Sequence, residues 1–176
     1  MRILIYLGVI SFIFSCQSGP CTRYVTEAPE IEFAKALVNN YEKGDWDSWL
    51  QIYADTARIF HNSMTPITKD ELKSGFVAGL ESYSTYGFNG NPYFYEMIID
   101  DKGEKWVYFW GTWSGTLIAN EESIYIPVHL ALNFRDGKIV REHAYYDRSP
   151  IVEAKAKSAV TEEEETEEEE EEETEE

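Results

Sequence analysis

The chain has few of the residues from which disulfide-rich folds and metal centres are built. Only two cysteines and three histidines occur among its 176 residues, and no two histidines have the spacing of a zinc-binding pair. The sequence contains no Gly-rich phosphate loop, and no Ser or Cys stands in a nucleophile-elbow motif. We therefore expect no metal and no cofactor, and no catalytic triad of the common hydrolase type.

Positive charge is also scarce, because 15 Lys and Arg face 33 Asp and Glu, for a net charge of −18. There is no basic stripe with interleaved aromatics, which argues against nucleic acid as a partner. The segment TEEEETEEEEEEETEE, residues 161–176, holds 13 of the negative charges and no apolar side chain. We predict that residues 152–176 form a disordered acidic tail. Either a solubilising role or weak binding of cations or basic proteins fits this composition.

The apolar run at the start of the chain is too short to cross a membrane. It follows Arg2 and comprises the 12 residues 3–14, whereas a spanning helix needs about 20. This pattern is typical of a signal peptide, which we predict for residues 1–15.

The end of that run resembles the lipobox of bacterial lipoproteins, since Ile13 precedes Cys16 by three residues. The resemblance implies that Cys16 is acylated and anchors the chain to a lipid membrane in the bacterial cell envelope. The anchor would lie at the outer membrane or at the periplasmic face of the inner membrane. Residues 16–26 would be a tether, and Cys21 would have no internal disulfide partner. An ordinary signal peptide with a chance cysteine is the alternative.

Residues 27–151 have the pattern of one α+β domain. Apolar residues at helical spacing follow Pro29 and stop at Gly44, and Asp45 can cap a second short helix. A short extended segment follows at residues 57–62, and a capping-box pattern then opens a third helix at Thr68. Residues 82–92 have the composition of a loop. Beyond them the period changes to two, which predicts strands at residues 93–100, 105–117, 124–134 and 138–147.

Two segments carry a resemblance to a known family: YEKGDWDSWLQIYADTARIFHN, residues 41–62, and FRDGKIVREHAYYD, residues 134–147. They resemble the opening and the closing hairpin of SnoaL-like domains in the nuclear transport factor 2-like superfamily. The resemblance implies a curved antiparallel sheet packed against three N-terminal helices, in the shape of a cone with a pocket at one end. It also implies a homodimer that packs through the sheet. Members of the superfamily differ in function, so the fold does not decide it.

The resemblance places two site positions of limonene-epoxide hydrolases at Phe60 and Asn62, where those enzymes have Tyr and Asn. Hydrolases and many polyketide cyclases of this fold carry an Asp seven residues after the turn glycine. Here that position is Ala144, which cannot accept a proton. Neither reaction is therefore expected to carry over directly.

Besides Asn62, two residues, Glu142 and His129, are candidates for chemistry in the pocket. Glu142 and Tyr146 share a strand face with Ala144, so Glu142 is a candidate general base. His129 is near the position of an oxyanion-binding Asp in ketosteroid isomerases. A one-residue shift in register would move it to the other face. Each of these residues also has a structural alternative, Glu142 as an ion-pair partner and His129 as a packed side chain. His61, adjacent to Asn62, is expected to point away from the pocket.

We predict that the domain binds a small, largely apolar molecule without catalysis. The expected lining comprises Phe60, Asn62, Phe76, Trp110, His129, Glu142 and Tyr146. The first alternative is a hydrolase, isomerase or cyclase that uses Glu142, His129 and Asn62. The second is a dimeric assembly scaffold with no ligand.

Overall fold

The computed structural model describes residues 23–88 and 94–158. The predicted signal peptide, the predicted lipidation site Cys16, most of the predicted tether and the poly-Glu segment 161–176 lie outside these residues.

Three helices form where the sequence predicts them. They are α1 (Pro29–Lys43), α2 (Trp46–Gln51) and α3 (Lys69–Leu80). α1 ends at Gly44, whose φ of 65° is left-handed and therefore suits a residue without a Cβ. The side chain of Asp45 caps α2 by accepting the N–H of Ser48. Thr68 and Glu71 form a complete capping box at the start of α3.

In the described part of the chain, seven strands form one open sheet. They are β1 (Tyr24–Val25), β2 (Tyr53–His61), β3 (Tyr83–Gly87), β4 (Phe94–Ile99), β5 (Lys105–Leu117), β6 (Ser123–Arg135) and β7 (Lys138–Tyr146). Their order is β1-β4-β5-β6-β7-β2, and β3 pairs with another stretch of β5. The strand β3 occupies part of the predicted loop 82–92. The sheet is antiparallel, as predicted, except at the pair β2–β7, which runs parallel. The chain between these two strands is long enough for the crossover that a parallel pair requires.

One face of the sheet packs on the helices and forms the core. Its largest fully buried side chains are Ile31 of α1, Ile59 of β2, Val107 and Phe109 of β5, Leu132 of β6 and Ile139 of β7. On β5 the odd-numbered residues face this core and the even-numbered ones face outward, as strand geometry requires. We call the helix-covered side the inner face and the opposite side the outer face.

A register shift in the β6–β7 hairpin decides which residues of β7 face inward. Phe134 pairs with Ile139 and Asn133 pairs with Arg141, so Val140 is an extra residue in β7. A bulge of this kind changes the phase of the strand. Ile139 and Glu142 are therefore both buried although they are three residues apart.

The domain extends beyond the predicted boundary at residue 151. Residues 149–158 are helical, and Ala154 is only 1% exposed. The prediction that disorder begins at residue 152 is wrong for residues 152–158, because this short helix has an apolar face that packs on the domain. Within the described residues, no helix is both long enough and apolar enough to cross a membrane.

Candidate functional site

A cavity of about 460 Å³ lies between the inner face of the sheet and the helices. Its walls come from the three helices, from strands β2, β3, β5, β6 and β7, and from the helical segment 149–158. Most of the lining is apolar, with Leu37, Val38, Trp49, Leu72, Phe76, Trp113, Ile126, Val128 and Leu130 among its members. The volume falls in the range of about 300–1,000 Å³ that is usual for small-molecule sites.

A chain of hydrogen bonds crosses the polar part of this cavity. The hydroxyl of Tyr53 donates to Oε2 of Glu142 at 2.5 Å, and Nε2 of His61 lies 2.9 Å from Oε1 of the same carboxylate. The other ring nitrogen of His61, Nδ1, lies 3.3 Å from the hydroxyl of Tyr146. Tyr53, His61, Glu142 and Tyr146 all line the cavity. We call these four residues the polar relay.

Burial makes the negative charge on Glu142 of the relay energetically costly. Glu142 is 2% exposed, and a buried carboxylate is stable only when charged or hydrogen-bonding partners surround it. Burial, followed by the charge of Glu142, raises the pKa of Tyr53 well above its usual value. Burial also raises the pKa of Tyr146. Both phenols are therefore protonated at physiological pH, and the hydroxyl of Tyr53 donates a hydrogen bond to the carboxylate.

The relay joins an acid–base pair to the open part of the cavity. Glu142 can stabilise the imidazolium that forms when His61 accepts a proton. Tyr53 fixes the second carboxylate oxygen, so the carboxylate keeps its orientation toward His61. The hydroxyl of Tyr146 can form a hydrogen bond to a molecule in the cavity, or relay a proton between that molecule and His61.

Of the predicted site residues, Phe76, Glu142 and Tyr146 line the cavity. Asn62 does not. Its side chain donates to the backbone oxygen of Tyr146 at 2.6 Å and accepts the backbone N–H of Tyr146 at 3.2 Å. With a φ of 46°, Asn62 ends the strand β2 and ties it to β7.

The other three predicted site residues lie on the outer face, and their assignment to the pocket is wrong. The ring of Phe60 stacks on His143 at 4.7 Å. The ring of His129 stacks on Trp110 at 3.9 Å, and Trp110 is 50% exposed. The three wrong assignments have one cause. In β2, β5 and β6 the residues next to Phe60, Trp110 and His129 face the core, so these three side chains face outward.

Two residues of the relay, His61 and Tyr53, are not among the site residues that the sequence predicts. The assumption that Asn62 continues the alternation of β2 turned His61 outward, whereas Asn62 leaves the extended conformation. Tyr53 fits the helical period of α2 but is the first residue of β2. The apolar Ile59, two residues before His61, is the signal that could have placed His61 on the inner face.

In the described part of the chain, no three His, Cys, Asp or Glu side chains are grouped so that they could hold a metal ion. The relay offers one imidazole and one carboxylate, and that carboxylate already accepts two hydrogen bonds. Its chemistry is that of hydrogen bonding and proton transfer.

The sequence model of the SnoaL-like domain family matches residues 34–142. The chain belongs to this family. Similar solved structures include a candidate polyketide cyclase from Xanthomonas campestris pv. campestris, with 19% identity and a TM-score of 0.57 over 68% of this chain and 90% of that one. AclR, a candidate hydroxylase from Streptomyces galilaeus, is 12% identical, with a TM-score of 0.61 over 75% and 98% of the two chains.

IdmH, a candidate polyketide cyclase from Streptomyces antibioticus, is 13% identical, with a TM-score of 0.58 over 72% and 96% of the two chains. No functionally curated protein matches the chain. At these identities the similarity establishes the fold of this SnoaL-like domain, which is nuclear transport factor 2-like.

Proposed function

We propose that this SnoaL-like domain binds a small, largely apolar molecule whose one oxygen-bearing group contacts the polar relay. The observation that carries the proposal is the apolar cavity of about 460 Å³ into which Tyr146, His61 and Glu142 converge. Ligand sites commonly combine apolar walls with a few placed polar groups that orient the ligand.

Two glycines in α3 support an occupied cavity. Gly75 and Gly79 stand one helical turn apart and both line the cavity. A Cβ at either position would meet nothing within 4 Å. Each glycine costs the helix about 1 kcal/mol relative to Ala, and packing does not require either one. Their positions keep the cavity wide.

The test is binding of N-phenyl-1-naphthylamine, a neutral apolar dye whose fluorescence increases in an apolar pocket. We expect saturable binding by the wild-type chain and by Gly75→Ala, and loss of binding in Gly75→Leu. Both variants remove the glycine from the helix, but only Leu projects far enough to fill the cavity. Equal binding by Gly75→Leu and Gly75→Ala would place the dye elsewhere and reject the proposal.

A second candidate function is proton-transfer catalysis on the bound molecule, as in an isomerase, cyclase or hydrolase. The pairing of His61 with Glu142 at 2.9 Å in an apolar cavity favours it. His129 and Asn62 are outside the cavity, so the catalytic pair would be His61 and Glu142. The description of similar structures as candidate polyketide cyclases agrees with such chemistry.

Proton abstraction can be measured without the natural substrate, using ring opening of 5-nitrobenzisoxazole. We expect a rate that falls at least about a hundredfold in His61→Gln, which is the usual scale of general-base catalysis. His129→Gln is the matched control because His129 stacks on the outer face. If both variants retain the wild-type rate, the cavity binds without catalysis.

We further propose that the outer face packs against a second copy of the chain. Trp110, Tyr125 and Tyr145 are 50%, 64% and 56% exposed there, and exposed apolar side chains of this size favour an interface. Sedimentation of wild-type protein as a dimer and of Trp110→Glu as a monomer would support this packing. A monomeric wild-type protein would contradict it.

The proposed location is the bacterial cell envelope, with the chain anchored through acylated Cys16. The apolar run and the cysteine that follows it support this proposal. Labelling with a palmitate analogue should mark the wild-type protein and leave Cys16→Ala unmarked. Equal labelling of the two proteins would contradict the anchor.

A further inference from the structure

The mouth of the cavity carries two positive side chains that the domain does not neutralise. Arg148 and Lys155 line the cavity and are both exposed. Within residues 23–88 and 94–158, neither side chain takes part in a salt bridge. The family match ends at residue 142, so both cations belong to a part of the chain beyond it.

The helical segment 149–158 fixes these cations at the mouth. Arg148 immediately precedes the segment and is hydrogen-bonded to its first turn. Its backbone oxygen accepts the N–H groups of Ile151 and Val152, both at 3.1 Å. Ile151 and Lys155 follow at intervals of three and four residues, which places them on one side of a helix. Ile151 packs against the core and thereby turns this side toward the cavity.

Lys155 is oriented by an aromatic wall residue. Its Nζ lies 5.6 Å from the centre of the Tyr83 ring, a distance typical of a cation–π contact. Tyr83 itself lines the cavity. The ammonium group is thus held over the opening, where it can still meet a ligand.

The acidic groups that line the same cavity are already engaged. Glu142 accepts hydrogen bonds from Tyr53 and His61. Glu71 accepts the backbone N–H of Thr68 at 2.8 Å and its hydroxyl at 2.9 Å, within the capping box. Neither carboxylate is committed to Arg148 or Lys155, so both cations remain available for an anion from outside the chain.

We propose that the ligand is an amphipathic anion, with its apolar body in the cavity and its anionic head group bound at the mouth by Arg148 and Lys155. The inference rests on the proposed binding function and narrows it to a chemical class. The head group is a carboxylate or a phosphate monoester, because both accept hydrogen bonds from guanidinium and ammonium groups.

The experiment measures displacement of N-phenyl-1-naphthylamine from the full chain by decanoate, decyl phosphate and decanol, which share one apolar body. We expect each anion to compete at least about fivefold better than decanol, the scale of two exposed ion pairs. The advantage should shrink at high salt. The stronger of the two anions identifies the head group.

Substitutions test whether the anionic head group binds at the mouth or elsewhere on the surface. Arg148→Gln with Lys155→Gln should remove the advantage of the anions and leave displacement by decanol unchanged. Lys157→Gln is the matched control, because Lys157 is on the same segment but pairs with Glu122 at 3.3 Å. It should retain the advantage.

Three results would overturn the inference. Equal competition by decanol and both anions in the wild-type protein would leave a cavity for neutral ligands, with the binding function intact. An advantage that persists in the double variant would place the anion elsewhere. Dye binding that Gly75→Leu does not change would reject the binding function itself, and with it this inference.

Discussion

At the scale of single residues, the site depends on how a buried carboxylate is accommodated. Glu142 is stable inside the domain because Tyr53 and His61 each occupy one of its oxygens. The same contacts align His61 with Tyr146 and thus with the cavity. The groups that stabilise the buried charge are therefore also the groups that could act on a ligand.

Tyr53 gives a prediction on pH dependence. Its pKa is raised in the folded state, by burial and then by the charge of Glu142, so above pH 10 the unfolded chain releases this proton and the folded chain keeps it. The free energy of unfolding then falls as pH rises, by up to about 1.4 kcal/mol per pH unit for this one group. Stability from this phenol is fully present below pH 10.

Urea unfolding at pH 9, 10 and 11 measures this dependence. The Tyr53→Phe variant should lose less stability than the wild type between pH 10 and 11. At neutral pH it should be less stable by about 1–3 kcal/mol, because Glu142 loses a hydrogen-bond donor. Identical slopes for the two proteins would contradict the assignment of Tyr53 as a buried, protonated donor.

At the scale of elements, α3 combines two requirements that conflict. Its capping box fixes its start, whereas Gly75 and Gly79 weaken its interior and widen the cavity. The helix is therefore less stable than it would be with alanine at these two positions, and the cavity has a larger volume than it would have with larger side chains there.

Two glycine substitutions with opposite expected effects test this account. Gly75→Ala should raise the free energy of unfolding by about 1 kcal/mol, because the new Cβ meets nothing within 4 Å. Gly44→Ala should lower it by about 1 kcal/mol, since the φ of 65° at this helix end disfavours a residue with a Cβ. Urea unfolding measures both. A loss of stability in Gly75→Ala would show that the glycine is needed for packing.

At the scale of the whole molecule, the folded domain and the acidic sequence that follows it differ sharply in composition. The domain includes residues 149–158, because Ala154 of this segment is buried. The segment 161–176 holds 13 glutamates, and its composition gives it no apolar group to bury.

Two truncations test where the folded domain ends. Removal of residues 161–176 should leave the Tm nearly unchanged at physiological salt. Removal of residues 149–176 should lower the Tm, because it uncovers the surface that Ile151 and Ala154 bury. Thermal unfolding followed by circular dichroism distinguishes the two. A large fall in Tm after the shorter truncation would contradict the predicted independence of the acidic tail.

Local sequence determined most of the elements of this domain. The caps at Asp45, Thr68 and Gly44 act within a few residues, so the three helices could be predicted, and the period of two identified the last strands. The same alternation placed Glu142 and Tyr146 on one face, and both line the cavity.

Tertiary structure decided which face of each strand meets the cavity. The bulge at Val140, the left-handed Asn62 and the parallel pairing of β2 with β7 set the phase of neighbouring strands. Those features arise from contacts between distant segments, which alternation along one segment does not encode. For this reason the sequence could name Glu142, and Ile59 could have indicated the face of His61, but only the fold could bring Tyr53 and His61 to Glu142 and leave His129 outside.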